Sequence, residues 1–232
     1  MLRGVVSAEK VHVVPWTVPV QPIGTPFDQR TGIGFLANYA HQPNVDAALF
    51  LAETVLPLVW RKDPGIACRL AGRAMPDAVR RLSQPGILVV GEVDAPAALF
   101  EQVRLTVAPL RFGAGLKGKM MESLGAGLPC VATPIAAEGM DLPSILASRV
   151  TDTPELLADA IVRLHNDAAA NAEAAEAGLR FVRSEYASGR IDALLRRVAN
   201  PVLRRRSESV DSARSKPPSS RFAVRELQHS RR

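Results

Sequence analysis

Cysteine, histidine and aromatic residues are all scarce in this sequence. Of 232 residues only two are cysteines, Cys68 and Cys130, and both stand in apolar stretches, which excludes a disulfide framework. Such thiols read as small core residues in a reducing compartment, so a cytoplasmic location is expected. The four histidines, at positions 12, 41, 165 and 229, are scattered without ligand spacing. Neither a metal nor another cofactor is expected. No apolar run approaches the roughly 20 residues that span a bilayer, and the opening MLRGVVSAEKVHVVPW lacks a signal peptide's continuous apolar core.

The net charge of +6 is local. Asn200 to Arg232 holds nine Lys or Arg against three Asp or Glu, which leaves 20 residues of each sign elsewhere. That tail mixes Arg with Ser and Pro and loses apolar periodicity, so it is expected to be disordered. Its charges are not interleaved with the aromatics that base stacking uses, and no nucleic-acid partner is expected. Weak peripheral contact with an anionic membrane remains open to it, at about 1 kcal/mol per basic residue near lipid.

Residues 1–32 open with the strand-like run Val11 to Val14 and continue through Pro15, Pro19, Pro22 and Pro26, which predicts an extended lead-in. From Ile33 to Ala199, short apolar runs alternate with helical patterns. Strands are predicted at Ile33–Leu36, Ala67–Ala71, Ile87–Val90, Leu105–Leu110, Cys130–Thr133 and Arg149–Thr151. Between them lie helices, the first capped by Asn44, and alanine-rich helices follow over about Pro154 to Ala199. Fully apolar strands in alternation with helices predict a Rossmann-like, doubly wound α/β domain with a mainly parallel sheet of six or seven strands.

One segment concentrates chemistry. RFGAGLKGKMME, Arg111 to Glu122, lies between a predicted strand and a predicted helix. Glycines at 113, 115 and 118 let the backbone approach a ligand, and the N–H groups of the first helical turn favour an anion. Arg111, Lys117 and Lys119 can add charge-assisted hydrogen bonds of about 1.5–3 kcal/mol each. Three patterns overlap there. Gly113, Gly118 and Lys119 fit a P-loop, but Met120 stands where Ser or Thr should hold magnesium. Gly113, Gly115 and Gly118 also fit the dinucleotide fingerprint, with Glu138 about 20 residues on, and would imply an oxidoreductase.

The third pattern covers more of the chain. RFGAGLKGKMMESLGAGLPCVATPIAAEGM, Arg111 to Met140, resembles the donor-binding core of glycosyltransferase family 4, enzymes of the GT-B fold. The shared features are a Gly-rich loop, a helix opening with a glutamate, the turn A-x-G-x-P, and a short strand ending in Thr. The resemblance extends to Asn38–Asn44 and Gly91–Asp94. It implies retaining transfer from a nucleoside-diphosphate sugar to an acceptor such as a glycan or lipid-linked saccharide. On this reading the diphosphate meets Arg111, Gly113, Ala114, Gly115, Leu116, Lys117 and Lys119, and Glu122 holds the ribose hydroxyls. The loops at Val93, Glu138 and Gly139 stand close to the donor.

Two departures accompany the resemblance. The family's first acid, eight residues before Glu122, is replaced by Ala114, and the basic residues that often follow the first strand are replaced by ANYAHQPN, Ala37 to Asn44. The family's acceptor half is also expected to be missing, with residues 1–32 a linker remnant. A separate chain would then supply that half, or the chain would bind nucleotide sugars or a protein partner without transferring anything.

Overall fold

The computed structural model describes residues 14–113 and 118–199. The disorder expected beyond Asn200 lies outside those residues, as does all of the Val11–Val14 run except Val14. The chain divides into two compact units. One is Pro15–Ile191, and the other contributes only Val14 and the helical residues 192–199 to the described part.

Within Pro15–Ile191, five strands form one wholly parallel sheet. They are β1 (Ile33–Leu36), β2 (Cys68–Ala71), β3 (Ile87–Gly91), β4 (Leu105–Ala108) and β5 (Cys130–Ala132), in the order β3-β2-β1-β4-β5. β4 is buried at all four positions, as a strand covered on both faces must be, and this is why its sequence LTVA does not alternate. β3 is an edge strand and leaves Leu88 and Val90 exposed. The sequence predicted each of these strands within two residues.

The sixth predicted strand is reduced to a single bridge between Val150 and Ala132. Only three residues separate Val150 from Pro154, which sits at the first turn of the next helix, so the chain turns away before a ladder can form.

The first long helix, residues 42–62, is α1 (Gln42–Phe50) and α2 (Leu56–Lys62) joined by one π turn, Leu51–Val55. It starts earlier than the predicted Asn44 cap, because Pro43 is well placed in the first helical turn and His41 becomes the cap residue. Further on lie α3 (Asp77–Arg80), α4 (Pro96–Phe100), α5 (Gly118–Gly125), α6 (Ser144–Ala147), α7 (Pro154–Asn166) and α8 (Ala168–Glu185). Asp167 separates α7 from α8, its side chain accepting a hydrogen bond from Ala170 N at 2.9 Å to cap the second.

The described part of the lead-in, residues 15–32, is fixed to the domain and carries one 3-10 turn, Phe27–Gln29. Val18 N donates to Tyr186 O at 2.9 Å, and Gln21 N and Ile23 N donate to Gly125 O and Ala126 O, each at 3.0 Å. Gly125 has to be glycine here, since a Cβ would stand 2.5 Å from the Pro19 carbonyl oxygen. Gly24 N and Thr25 N then donate to the Glu101 carboxylate at 3.1 and 2.9 Å.

His165, at the end of α7, joins the entry of β1 to this frame. Gly32 N donates to its Nε2 at 2.9 Å, so Nδ1 carries the proton and faces Asn166 Oδ1 at 2.6 Å. Burial lowers the imidazole pKa; the Asn166 hydrogen bond and Asp63 oppose that shift, and Arg104 adds to it. A depressed pKa means that the unfolded chain binds more protons, so stability falls as pH drops below about 6.5 toward the folded value. In urea titrations between pH 7.5 and 5 the wild-type chain should lose stability on this account, by at most about 1.4 kcal/mol for each pH unit below the unfolded pKa. The His165→Gln chain should lack that part of the slope, and equal slopes in the two chains would contradict this role.

Candidate functional site

The chain leaves β1 toward β2 and β3, then returns to the other side of β1 for β4 and β5. The strand order therefore reverses between β1 and β4. In open parallel sheets, ligands bind beyond the strands' carboxyl ends at such a switch point, because the two diverging connections leave a crevice. A cleft of about 710 Å³ lies there. Its walls include Ala37 and Asn38 after β1, Leu110 and Gly113 after β4, and the first turns of α1 and α5.

Two helix starts and one ammonium group place positive charge on the cleft wall, opposite in sign to the carboxylate of Glu122. α1, nine residues long, and α5, eight residues long, both present N-terminal residues to it, and helix N-termini carry partial positive charge. Lys119 in α5 reaches across and donates from Nζ to Asn44 Oδ1 in α1 at 2.8 Å, placing an ammonium group between the two helices. Asn44 in turn donates from Nδ2 to Asn38 O at 2.7 Å. Asn44 is therefore not a cap but the support of a cation. Gly113 lines the same cleft with φ at +125°, a conformation that disfavours any side chain.

The helix that carries this chemistry is anchored from beneath. Met120, Met121 and Leu124 of α5 are buried in the core, and the Ser123 and Thr106 hydroxyls lie 2.6 Å apart between α5 and β4. Ser123 also donates to Leu128 O at 3.2 Å. Glu122, on the exposed side of the same helix, lines the cleft. It also lines a second, mainly apolar hollow of about 280 Å³, whose walls include Ile23, Ala95, Pro96 and Phe100.

The sequence-predicted residues fall into three groups. Gly113, Lys119 and Glu122 come together in the cleft. Ala114, Gly115, Leu116 and Lys117 lie outside the described residues. Arg111, Val93, Glu138 and Gly139 do not line the cleft. Arg111 is turned to α1, where Nε donates to Asp46 Oδ2 at 2.9 Å, Nη2 pairs with Asp46 Oδ1, and the guanidinium stands 5.0 Å from the Phe50 ring centre. Val93 packs against the small cluster that includes Leu99, Phe100 and Ala126, and Glu138 and Gly139 sit in a turn after β5.

Trp16 is a cleft element that the sequence did not single out, whereas the α1 start falls within Asn38–Asn44, which the resemblance included. Trp16 lay hidden in a proline-rich stretch that reads as a linker. The glycine-rich segment follows the fourth strand of the sheet, whereas a dinucleotide fingerprint opens the first βα turn, which here reads ANYAHQ without a glycine. Among the described residues, no three His, Cys, Asp or Glu side chains gather as metal ligands would. No helix among them is long and apolar enough to cross a membrane.

The model of the family described as "Glycosyl transferases group 1" matches residues 30–167. No curated protein matches the sequence. Solved structures supply the fold. A point mutant of S. aureus TarM, in complex with fondaparinux, alpha-GlcNAc-glycerol and UDP, superposes with a TM-score of 0.71 at 16% identity, over 85% of this chain and 41% of that one. Sucrose-phosphate synthase from Thermosynechococcus elongatus gives 0.63 at 16% identity, covering 87% and 55%. The C-terminal domain of the group 1 protein LpcC from Francisella tularensis gives 0.56 at 15% identity, covering 73% and 96%. The chain thus spans about two fifths of the TarM chain, and its sheet is the Rossmann-like half of a GT-B fold, with an extent that fits a C-terminal half.

Proposed function

This chain belongs to the glycosyl transferases group 1 family, and on that premise we propose that its cleft holds a nucleoside-diphosphate sugar as donor for a retaining glycosyl transfer. The observation that carries the proposal is the meeting of the α1 start, the α5 start, Lys119 and Glu122 in one cavity at the switch point of the sheet. A diphosphate carries the charge that two helix N-termini and an ammonium group are suited to hold. As the glycosidic bond breaks, more charge develops on the departing diphosphate, so the same donors act preferentially on the transition state. Glu122 borders both the polar cleft and the apolar hollow. That suits a ribose, whose hydroxyls need acceptors and whose neighbours are a charged diphosphate on one side and a flat base on the other. The UDP in the TarM structure supports this class of ligand.

The acceptor, a glycan or lipid-linked saccharide, would be bound by a second half, in another chain or another part of a longer protein. Two free buried thiols suit a reducing compartment, so we place the reaction in the cytoplasm.

Calorimetric titration with UDP, GDP and NAD tests the reading. One nucleoside diphosphate should bind saturably near the micromolar range, which corresponds to about 8 kcal/mol. Binding of NAD and of neither diphosphate would replace it with the oxidoreductase reading. Lys119→Met should weaken the diphosphate roughly tenfold and flatten the salt dependence of its affinity, since one charge-assisted bond and one screened charge are lost.

A further inference from the structure

Trp16 lines the cleft although it belongs to the extended lead-in, well before the first strand begins at Ile33. What puts it there is the backbone pairing of that lead-in. Val18 is tied to Tyr186 and Gln21 to Gly125, and this draws the preceding residues along α5 toward its start.

Trp16 is 53% exposed, although its ring lies against the protein. Its six-membered ring packs on Gly118, the first residue of α5: a Cβ there would stand 3.2 Å from the Trp16 ring and 3.6 Å from Glu122 Oε1. The ring edge, the helix start and the carboxylate therefore converge on one point of the cleft wall. An aromatic face left half-open beside the polar groups of a cleft is ordinary in a ligand site, where it supplies contact area at little conformational cost.

We infer that Trp16 is a donor-contacting residue, whose indole packs on the ribose of the bound nucleotide sugar and shields the ribose and diphosphate contacts from water. The inference rests on the donor reading of the cleft. The ring adds apolar contact to the sugar's C–H face, and by displacing water it strengthens the hydrogen bonds made beneath it by Glu122 and the start of α5. Its role is to position the donor, with no part in bond breaking.

The test uses the full chain with Trp16→Phe and Trp16→Ala, titrated with UDP and GDP by calorimetry and by intrinsic fluorescence. Trp60 is the other indole; it donates to Ile66 O at 2.9 Å and does not line the cleft, so it serves as an internal reference. The diphosphate that binds the wild type should change its emission, and this change should vanish in Trp16→Phe. Trp16→Ala should bind about 5- to 20-fold more weakly, and Trp16→Phe about 2- to 3-fold, with thermal unfolding close to that of the wild type in both. Equal affinity in all three chains with no emission change would overturn the inference and leave the donor reading intact. A wild-type chain that binds neither diphosphate would overturn both.

Discussion

Replacing Glu122 with alanine should raise the dissociation constant for the nucleoside diphosphate by roughly 10- to 100-fold and leave the fold as stable as before. The loss follows from charge-assisted hydrogen bonds, worth about 1.5–3 kcal/mol each, between a carboxylate and ribose hydroxyls. Stability should hold because Glu122 is exposed and α5 is secured by its neighbours Met121, Ser123 and Leu124, all of which are buried. Calorimetry and urea unfolding on the same preparation separate the two effects. The 2′-deoxy form of the nucleotide offers a second check. If Glu122 holds the ribose, the wild type should discriminate against the deoxy compound and the Glu122→Ala chain should not. Equal discrimination by both would place the carboxylate elsewhere.

The largest effect on stability is expected at Gly72, just past the end of β2. Its φ is +132°, and a Cβ built there would lie 1.7 Å from the Ala37 carbonyl oxygen. That carbonyl belongs to backbone, which cannot swing aside as the tip of a side chain can. Gly72 N meanwhile donates to Gly91 O at 2.7 Å, and Ala37 N donates to Ala71 O at 3.0 Å, so three strand ends are closed together here. Gly72→Ala should therefore cost about 3–5 kcal/mol, within the range of strained-backbone and overpacking substitutions. Urea unfolding should show a lower midpoint with an unchanged slope. Ala37 also lines the cleft, so diphosphate affinity should fall as well, in a chain whose cleft side chains are all intact. A shift below about 1 kcal/mol would mean that the β1 and β2 ends can separate without loss.

The strands were legible because a parallel sheet covered on both faces demands unbroken apolar runs, and Ile33–Leu36, Leu105–Ala108 and Cys130–Ala132 each supply one. The helix start that we propose as the diphosphate site stood out for a similar reason, since glycine and lysine at a strand-to-helix turn have local meaning. What the sequence concealed depends on distant partners. Arg111 has its ion-pair partner in Asp46, 65 residues earlier. Asn44 reads as a cap until Lys119, 75 residues later, is found on its side-chain oxygen. Trp16 reads as part of a linker, because the bonds that place its segment go to residues 125, 126 and 186. Periodicity reports which face is buried, but a cleft at a switch point is assembled from segments with no local signature of their proximity.

The π turn at Leu51–Val55 accommodates one more residue than an α-helical turn would. Its later continuation, α2, is anchored where Trp60 donates to Ile66 O, while the earlier part carries Asn44 and Asp46. Deleting a single residue within the turn would restore unbroken α-helical phase between those ends. Each residue of an α-helix turns the axis by about 100° and advances it by about 1.5 Å. Because the π turn absorbs its extra residue, that deletion would leave Asn44 on Lys119 and Asp46 on Arg111, whereas deleting a residue of regular α1 after Asp46 would turn both away by about that angle. The aim of the cleft's polar groups is thus set by the phase of a helix that meets the cleft only at its first turn.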